Sequence, residues 1–242
     1  MRVWMWTIAA GADAAAEEAV LATLVDAATR ERAARRQPGT RWSFLAAHAL
    51  CRVQLAAAFG GAPQDKRFTV TPQGRPLLAD PPPGTPADGF SLSHADGVAG
   101  CALLLDAASA APDSTPAIGF DLEVPRPGRP ALTLARRFLH ADEAAWVAAA
   151  DDANLAFTRL WTLKEALTKA LGRGFQESFK GFSVRAEPPG LLSAPPGFGP
   201  VRHWHVGAGA VDAALWALAV RQGGAVPDIQ RRHLRVADLR AE

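Results

Sequence analysis

Two short stretches carry the densest chemistry in this 242-residue chain. The first is Ile118-Gly119-Phe120-Asp121-Leu122-Glu123. Its alternation is that of a β-strand, with Gly119, Asp121 and Glu123 on one face and three apolar side chains on the other. Two carboxylates so placed repel each other unless something positive lies between them. Oxygen-only donors suit a hard ion, Mg²⁺ before Zn²⁺. Gly119 leaves room for a ligand to approach the backbone. The second stretch spans residues 155–171, where Leu160, Trp161, Leu163, Leu167, Ala170 and Leu171 form the apolar band of a helix. Glu165 and Lys169 stand one turn apart on a shared face. Taken singly, each pattern has a plain alternative. One is an edge strand with a solvated polar face; the other is a surface ion pair worth about 0.3–0.5 kcal/mol.

A second kind of chemistry lies nearer the N-terminus. Arg30, Arg32, Arg35, Arg36 and Arg41 are diluted only by Glu31. Arginine forks match phosphate oxygens, and a helix start at Arg41 also favours anions. Cations near the end of a solvated helix would look the same. His94 falls where a strand, residues 90–94, opens into the turn Ala95-Asp96-Gly97; residues 98–105 return as a buried strand to make a hairpin.

The elements that must hold these groups follow from the patterning. Residues 1–10 read as a strand rather than a signal sequence, because the apolar run is short and interrupted by Trp4 and Trp6. Residues 17–36 read as one helix and 42–59 as a second, strongly apolar one. Residues 68–70 form a short strand, Gln73-Gly74-Arg75-Pro76 a turn, and 80–89 a proline-rich loop. Residues 106–116 are a small-residue linker that divides the chain into halves 1–115 and 116–242. In the second half, residues 132–138 make a helix, another begins at His140, and Gly172 and Gly174 stop the helix that carries Glu165. Strands are expected at 182–184 and 203–206, a Pro/Gly loop at 186–200, and a strand or short buried segment at 213–220. No role is assigned to residues 230–242.

Composition narrows the function. The formal charge of +2 is too near neutral to imply bulk nucleic-acid binding. No apolar run approaches the length of a membrane span. Two cysteines, Cys51 and Cys101, in apolar segments suit reduced thiols in a cytoplasmic protein. The sequence shows no metal-binding Cys/His spacing, Walker A loop, G-x-S-x-G elbow or dinucleotide fingerprint.

Together the pieces resemble the 4'-phosphopantetheinyl transferases of the surfactin-synthetase-activator type. The resemblance rests on Gly74-Arg75-Pro76 with Phe90-Ser91-Leu92-Ser93-His94, on Gly119 to Glu123, and on Trp161-Thr162-Leu163-Lys164-Glu165-Ala166. The last continues to Lys169 and Gly172-Arg173-Gly174-Phe175. The motifs stand in the family's order; Ala95 departs from it, where a small hydroxyl residue is usual. The resemblance implies an α/β (α+β) fold of two pseudo-symmetric halves, each a small antiparallel sheet packed with a helix, with the active site in the cleft between them. It implies transfer of 4'-phosphopantetheine from coenzyme A to a serine of an apo-carrier protein by a monomer. Mg²⁺, with Mn²⁺ as a substitute, would be held by Asp121, Glu123 and Glu165. Glu165, Lys169 and Asp121 would be catalytic. Arg32, Arg41, Arg75, Ser93, His94, Lys164 and Lys169 would bind coenzyme A, with Arg30 or Arg32 left open at its 3'-phosphate. The residues also leave open a Mg²⁺-dependent phosphodiesterase and a non-catalytic, carrier-binding relative.

Overall fold

The computed structural model describes residues 1–83, 85–105, 116–172, 178–223 and 226–240. In chain order the elements are β1 (Arg2–Ala9), α1 (Ala14–Thr23), α2 (Ala27–Ala34), α3 (Pro38–Phe59), β2 (Phe68–Val70), β3 (Pro76–Leu78), β4 (Phe90–Ala95) and β5 (Val98–Leu105). Then come β6 (Ala117–Glu123), α4 (Ala131–Phe138), α5 (Ala141–Ala149), α6 (Ala153–Leu171), β7 (Ser183–Arg185), β8 (Gly190–Ser193), β9 (Trp204–Val211), β10 (Ala214–Arg221) and β11 (Asp228–Leu234). They form two compact units: Met1–Ala108 with Asp228–Glu242, and Ser109–Pro227. The expected single division into 1–115 and 116–242 is therefore corrected at its C-terminal end. Strand β11 pairs in parallel with β1, from Arg2 opposite Asp228 to Ile8 opposite Leu234. The linker expected at 106–116 lies almost wholly outside the described residues, as does Gly174.

The first unit is built on a sheet of order β11-β1-β5-β4. Helix α3 starts with Pro38 in its first turn, where the missing amide is harmless, and stops at Gly60 with φ 74°. Its apolar residues, Phe44, Leu45, Leu50, Cys51 and Leu55 among them, are buried in the unit's core. By length and a mean hydropathy of 1.2 this helix could cross a membrane, which corrects the expectation that no segment comes near that length. Within the unit, 83% of that stretch is buried. The single helix expected at 17–36 is two. Asp26 accepts a hydrogen bond from the Thr29 amide at 2.6 Å and so starts a new helix, and Arg30 donates to the Val25 carbonyl, also at 2.6 Å. Arg52, 1% exposed, fixes this corner from α3 by donating to Asp26 Oδ2 (2.6 Å) and to Thr29 Oγ1 (3.0 Å).

The second unit is built on the antiparallel sheet β6-β10-β9. On the face that receives α6, β6 offers Gly119 and β10 offers Ala217 and Ala219, with Gly119 opposite Ala219 and Asp121 opposite Ala217. These small residues let the helix lie close. A Cβ on Gly119 would overlap the Ala166 carbonyl oxygen and the Ala170 amide nitrogen. The space beside Gly119 is thus taken by α6 rather than by a ligand, which corrects the expectation. Asp152 caps α6 through the Leu155 amide, and Gly172 ends it in the left-handed conformation at φ 68°. Residues 186–200, expected as loop, include strand β8, which pairs with β7. The segment at 213–220 is the central strand β10.

Candidate functional site

Close packing of α6 on Gly119 sets the geometry of the acidic cluster. With Ala166 and Ala170 against Gly119, the residues on the same side of α6 pass over the neighbouring carboxylates of β6. Lys169 Nζ lies 2.6 Å from Asp121 Oδ1 and 3.2 Å from the Phe120 carbonyl oxygen. Asp121 is buried, whereas Lys169 keeps a third of its side chain in solvent. Glu165 is pushed up to about 7, first by burial and then by the negative charges of Asp121 and Glu123, against which Lys169 acts. Burial and Asp121 also raise Glu123. Arg129, which approaches Glu123 Oε2 at 3.8 Å, opposes that rise. Asp121, Glu123, Glu165 and Lys169 are therefore brought together. The sequence reading had no reason to add Arg129; its only cue is its position six residues past Glu123.

As it stands, the arrangement is a carboxylate cluster with one ammonium inside it. Among the described residues, no group of three or more His, Cys, Asp or Glu is poised to hold a metal ion. In donor type alone the set suits a hard divalent cation. It offers carboxylate oxygens only, and its three acids outnumber Lys169 and the more distant Arg129. Two of these acids are shifted towards their neutral forms, first by burial and then by the neighbouring negative charge.

Lys164, expected to touch coenzyme A, is corrected. Its side chain is fully buried. Nζ donates to the carbonyls of Phe179 (2.7 Å) and Phe182 (2.6 Å) and pairs with Glu143 Oε2 at 2.9 Å. Glu143 also accepts from the amides of His140 and Val184. Burial lowers the Lys164 pKa to about 8 even beside this carboxylate. The lysine is spent on joining α6, α5 and the approach to β7. Adjacent positions on a helix point some 100° apart, so Lys164 faces inward while Glu165 faces the acidic cluster.

In the first unit Arg32, Arg36 and His94 gather round Phe44. The guanidinium of Arg32 lies 5.3 Å from the centre of that ring and that of Arg36 lies 4.0 Å away. His94 meets the ring edge-on, with centroids 6.0 Å apart. Burial, with Arg32 nearby, lowers the Arg36 pKa. Arg30 instead caps the end of α1, donating to Ala22 and Val25. Of the two arginines left open at the 3'-phosphate, Arg32 thus lies against Phe44 and Arg30 is held at the end of α1. Arg41 lies in the first turn of α3, 3.8 Å from Glu18, and its Nε is buried with no hydrogen-bond partner. Ser93 is buried on β4 opposite Gly100. Arg75 is mostly buried, donates to the Asp88 carbonyl at 2.9 Å and pairs with its carboxylate at 3.5 Å. Phe44 was not among the candidates read from the sequence. Arg36 stood among the arginines, but nothing local singles out the ring that gathers them.

The second unit also has open cavities away from the carboxylates. One of about 580 Å³ is lined by Arg136, Leu139, His140, Ala144 and Lys180. Another, of about 240 Å³, lies between α6 and Trp216. Neither contains an acid of the cluster.

Fold and site together define an α/β protein with an acidic centre, paired with one lysine, on a strand–helix pair. Residues 117–219, which hold that centre, match the 4'-phosphopantetheinyl transferase superfamily, and the resemblance carried by the motifs is borne out. A 4'-phosphopantetheinyl transferase of Bacillus subtilis is 32% identical over 60% of this chain and 58% of its own length. The 4'-phosphopantetheinyl transferase HetI of Nostoc sp. is 32% identical over 65% of this chain and 64% of its own. The matched region thus spans less than two thirds of either relative. A solved structure of Thermotoga maritima holo-[acyl-carrier-protein] synthase aligns with a TM-score of 0.38 at 26% identity, covering 44% of this chain and 62% of that one.

Proposed function

We propose that this protein transfers 4'-phosphopantetheine from coenzyme A to a serine hydroxyl of an apo-carrier protein and releases 3',5'-ADP. The observation that carries the reading is the cluster of Asp121, Glu123, Glu165 and Lys169 inside the matched region. Mg²⁺, held by Asp121, Glu123 and Glu165, would neutralise the pyrophosphate and stabilise charge on the leaving phosphate.

The chain's own groups supply the rest. The serine oxygen forms a bond to the phosphorus next to the pantetheine arm, and the bond from that phosphorus to the bridging oxygen breaks. The electron pair leaves with 3',5'-ADP. Glu165, on the same cluster, would take the serine proton, directly or through a water molecule. Lys169 offsets charge on the phosphate oxygens as the bond breaks. Arg32, Arg36 and His94, gathered at Phe44, together with Arg41 from the first turn of α3, would take the 3'-phosphate of coenzyme A.

Helix α4 supports a carrier-docking role. It exposes Leu132 and Phe138 beside Arg136 and Arg137, a surface suited to an acidic, partly apolar partner. The free, buried thiols of Cys51 and Cys101 support a reducing, cytoplasmic setting.

The test is mass spectrometry of several apo-carrier proteins after incubation with coenzyme A and Mg²⁺. The phosphopantetheine adduct on serine is expected. Release of 3',5'-ADP without any carrier would mark a phosphodiesterase instead, and no turnover of coenzyme A with any carrier would leave a binding protein.

A further inference from the structure

We infer that Lys169 is a resident counter-ion that competes with a divalent cation for Asp121, and that the pyrophosphate of coenzyme A relieves the competition by drawing the ammonium away. This rests on the metal-dependent reading above. It adds an order of loading: the metal alone binds weakly, and metal and coenzyme A bind cooperatively.

The argument starts from the two side chains. Asp121 is held by β6 and is almost wholly buried, so it has little freedom to turn towards another partner. Lys169 reaches it from α6 on a flexible four-carbon stem and is 32% exposed, so it can swing out. Its ammonium lies 2.6 Å from Asp121 Oδ1 and 3.2 Å from the Phe120 carbonyl oxygen. A cation that takes up this carboxylate meets a positive charge already at hydrogen-bond distance from one of its donors. Either Lys169 gives up Asp121 or the two like charges stay close at a cost. A bound pyrophosphate changes the balance, because its oxygens offer the ammonium an anion outside the strand.

The experiment is calorimetric titration of Mn²⁺ into the metal-stripped, full-length protein, with and without coenzyme A. The buffer lies well above the Glu165 pKa of about 7 so that the acids are ionised. Wild type is compared with Lys169→Met, and with Lys169→Gln should the first variant fold poorly. Without coenzyme A, the variant is expected to bind Mn²⁺ about tenfold or more tightly than wild type, since a like charge beside the metal has gone. Coenzyme A should strengthen Mn²⁺ binding by a larger factor in wild type than in the variant. Equal Mn²⁺ affinity in the two proteins, with binding present in both, would overturn the competition and leave the metal reading standing. No Mn²⁺ binding to either protein, with or without coenzyme A, would overturn the metal reading and this inference with it.

Discussion

Gly119 and Ala166 are in backbone contact: the strand glycine faces the helix where the Ala166 carbonyl passes, with no room for a side chain. Gly119→Ala is therefore expected to force α6 off β6. The cost should be about 1–3 kcal/mol, the usual range for overpacking. Because Glu165 and Lys169 flank Ala166 and Ala170, transfer should fall as well. Denaturant unfolding checks the first effect and carrier modification the second. Unchanged stability would mean that the sheet and helix are not packed this closely.

A second expectation concerns pH. Glu165 titrates near 7 in the folded protein, above the usual carboxylate value of 4.5. Between those values the folded state binds more protons than the unfolded one, so stability from this group is lost as pH rises through 7. Glu165→Gln removes that loss. In metal-free buffer the variant should gain on wild type from about pH 5 to about pH 8. A gap that stays constant across that window would contradict the raised pKa.

Lys164 gives a prediction of a different kind. It is fully buried and its partner Glu143 nearly so. Lys164→Met leaves a buried carboxylate without its cation, which should cost about 3 kcal/mol or more. Adding Glu143→Gln should restore part of the loss. Coenzyme A affinity of the folded variant should change little. Full stability combined with weakened coenzyme A binding would return Lys164 to a ligand role.

How far the sequence could be read depended on whether a residue's partner was local. Strand β6 and helix α6 were legible because alternation and helical spacing are local signals. The gap at Gly119 was legible too, but what fills it lies 47 residues away in the chain, at Ala166. Lys164 looked equivalent to Glu165 in the motif; only the packing of α5 and of Phe179 and Phe182 shows that it points inward. The break between α1 and α2 depends on Asp26, whose second partner, Arg52, comes from α3. Strand β11 is short and mostly polar, and its partner β1 lies at the other end of the chain.

The two neighbouring arginines of α2 should separate cleanly. Arg32→Ala is expected to weaken coenzyme A roughly tenfold at low salt and less at high salt, as screening predicts. It should barely affect 3'-dephospho-coenzyme A. Arg30→Ala removes the bonds to Ala22 and Val25, so it should lower stability with little effect on either ligand. Calorimetry with both ligands decides this. Equal weakening of the two ligands by Arg32→Ala would place that residue away from the 3'-phosphate.

The pairing of β11 with β1 also bears on the order in which the protein can be completed during synthesis. Strand β1 is made before its parallel neighbour β11, with the whole second unit between them. The nascent first unit must wait with one edge of β1 open, carrying Trp4, on whose ring Arg232 of β11 later stacks. The second unit, encoded between the two, holds all of its strands in one continuous run and can close earlier. The unit that holds β1 is thus the later one to finish, and for that interval the open edge of β1 is available for wrong pairing.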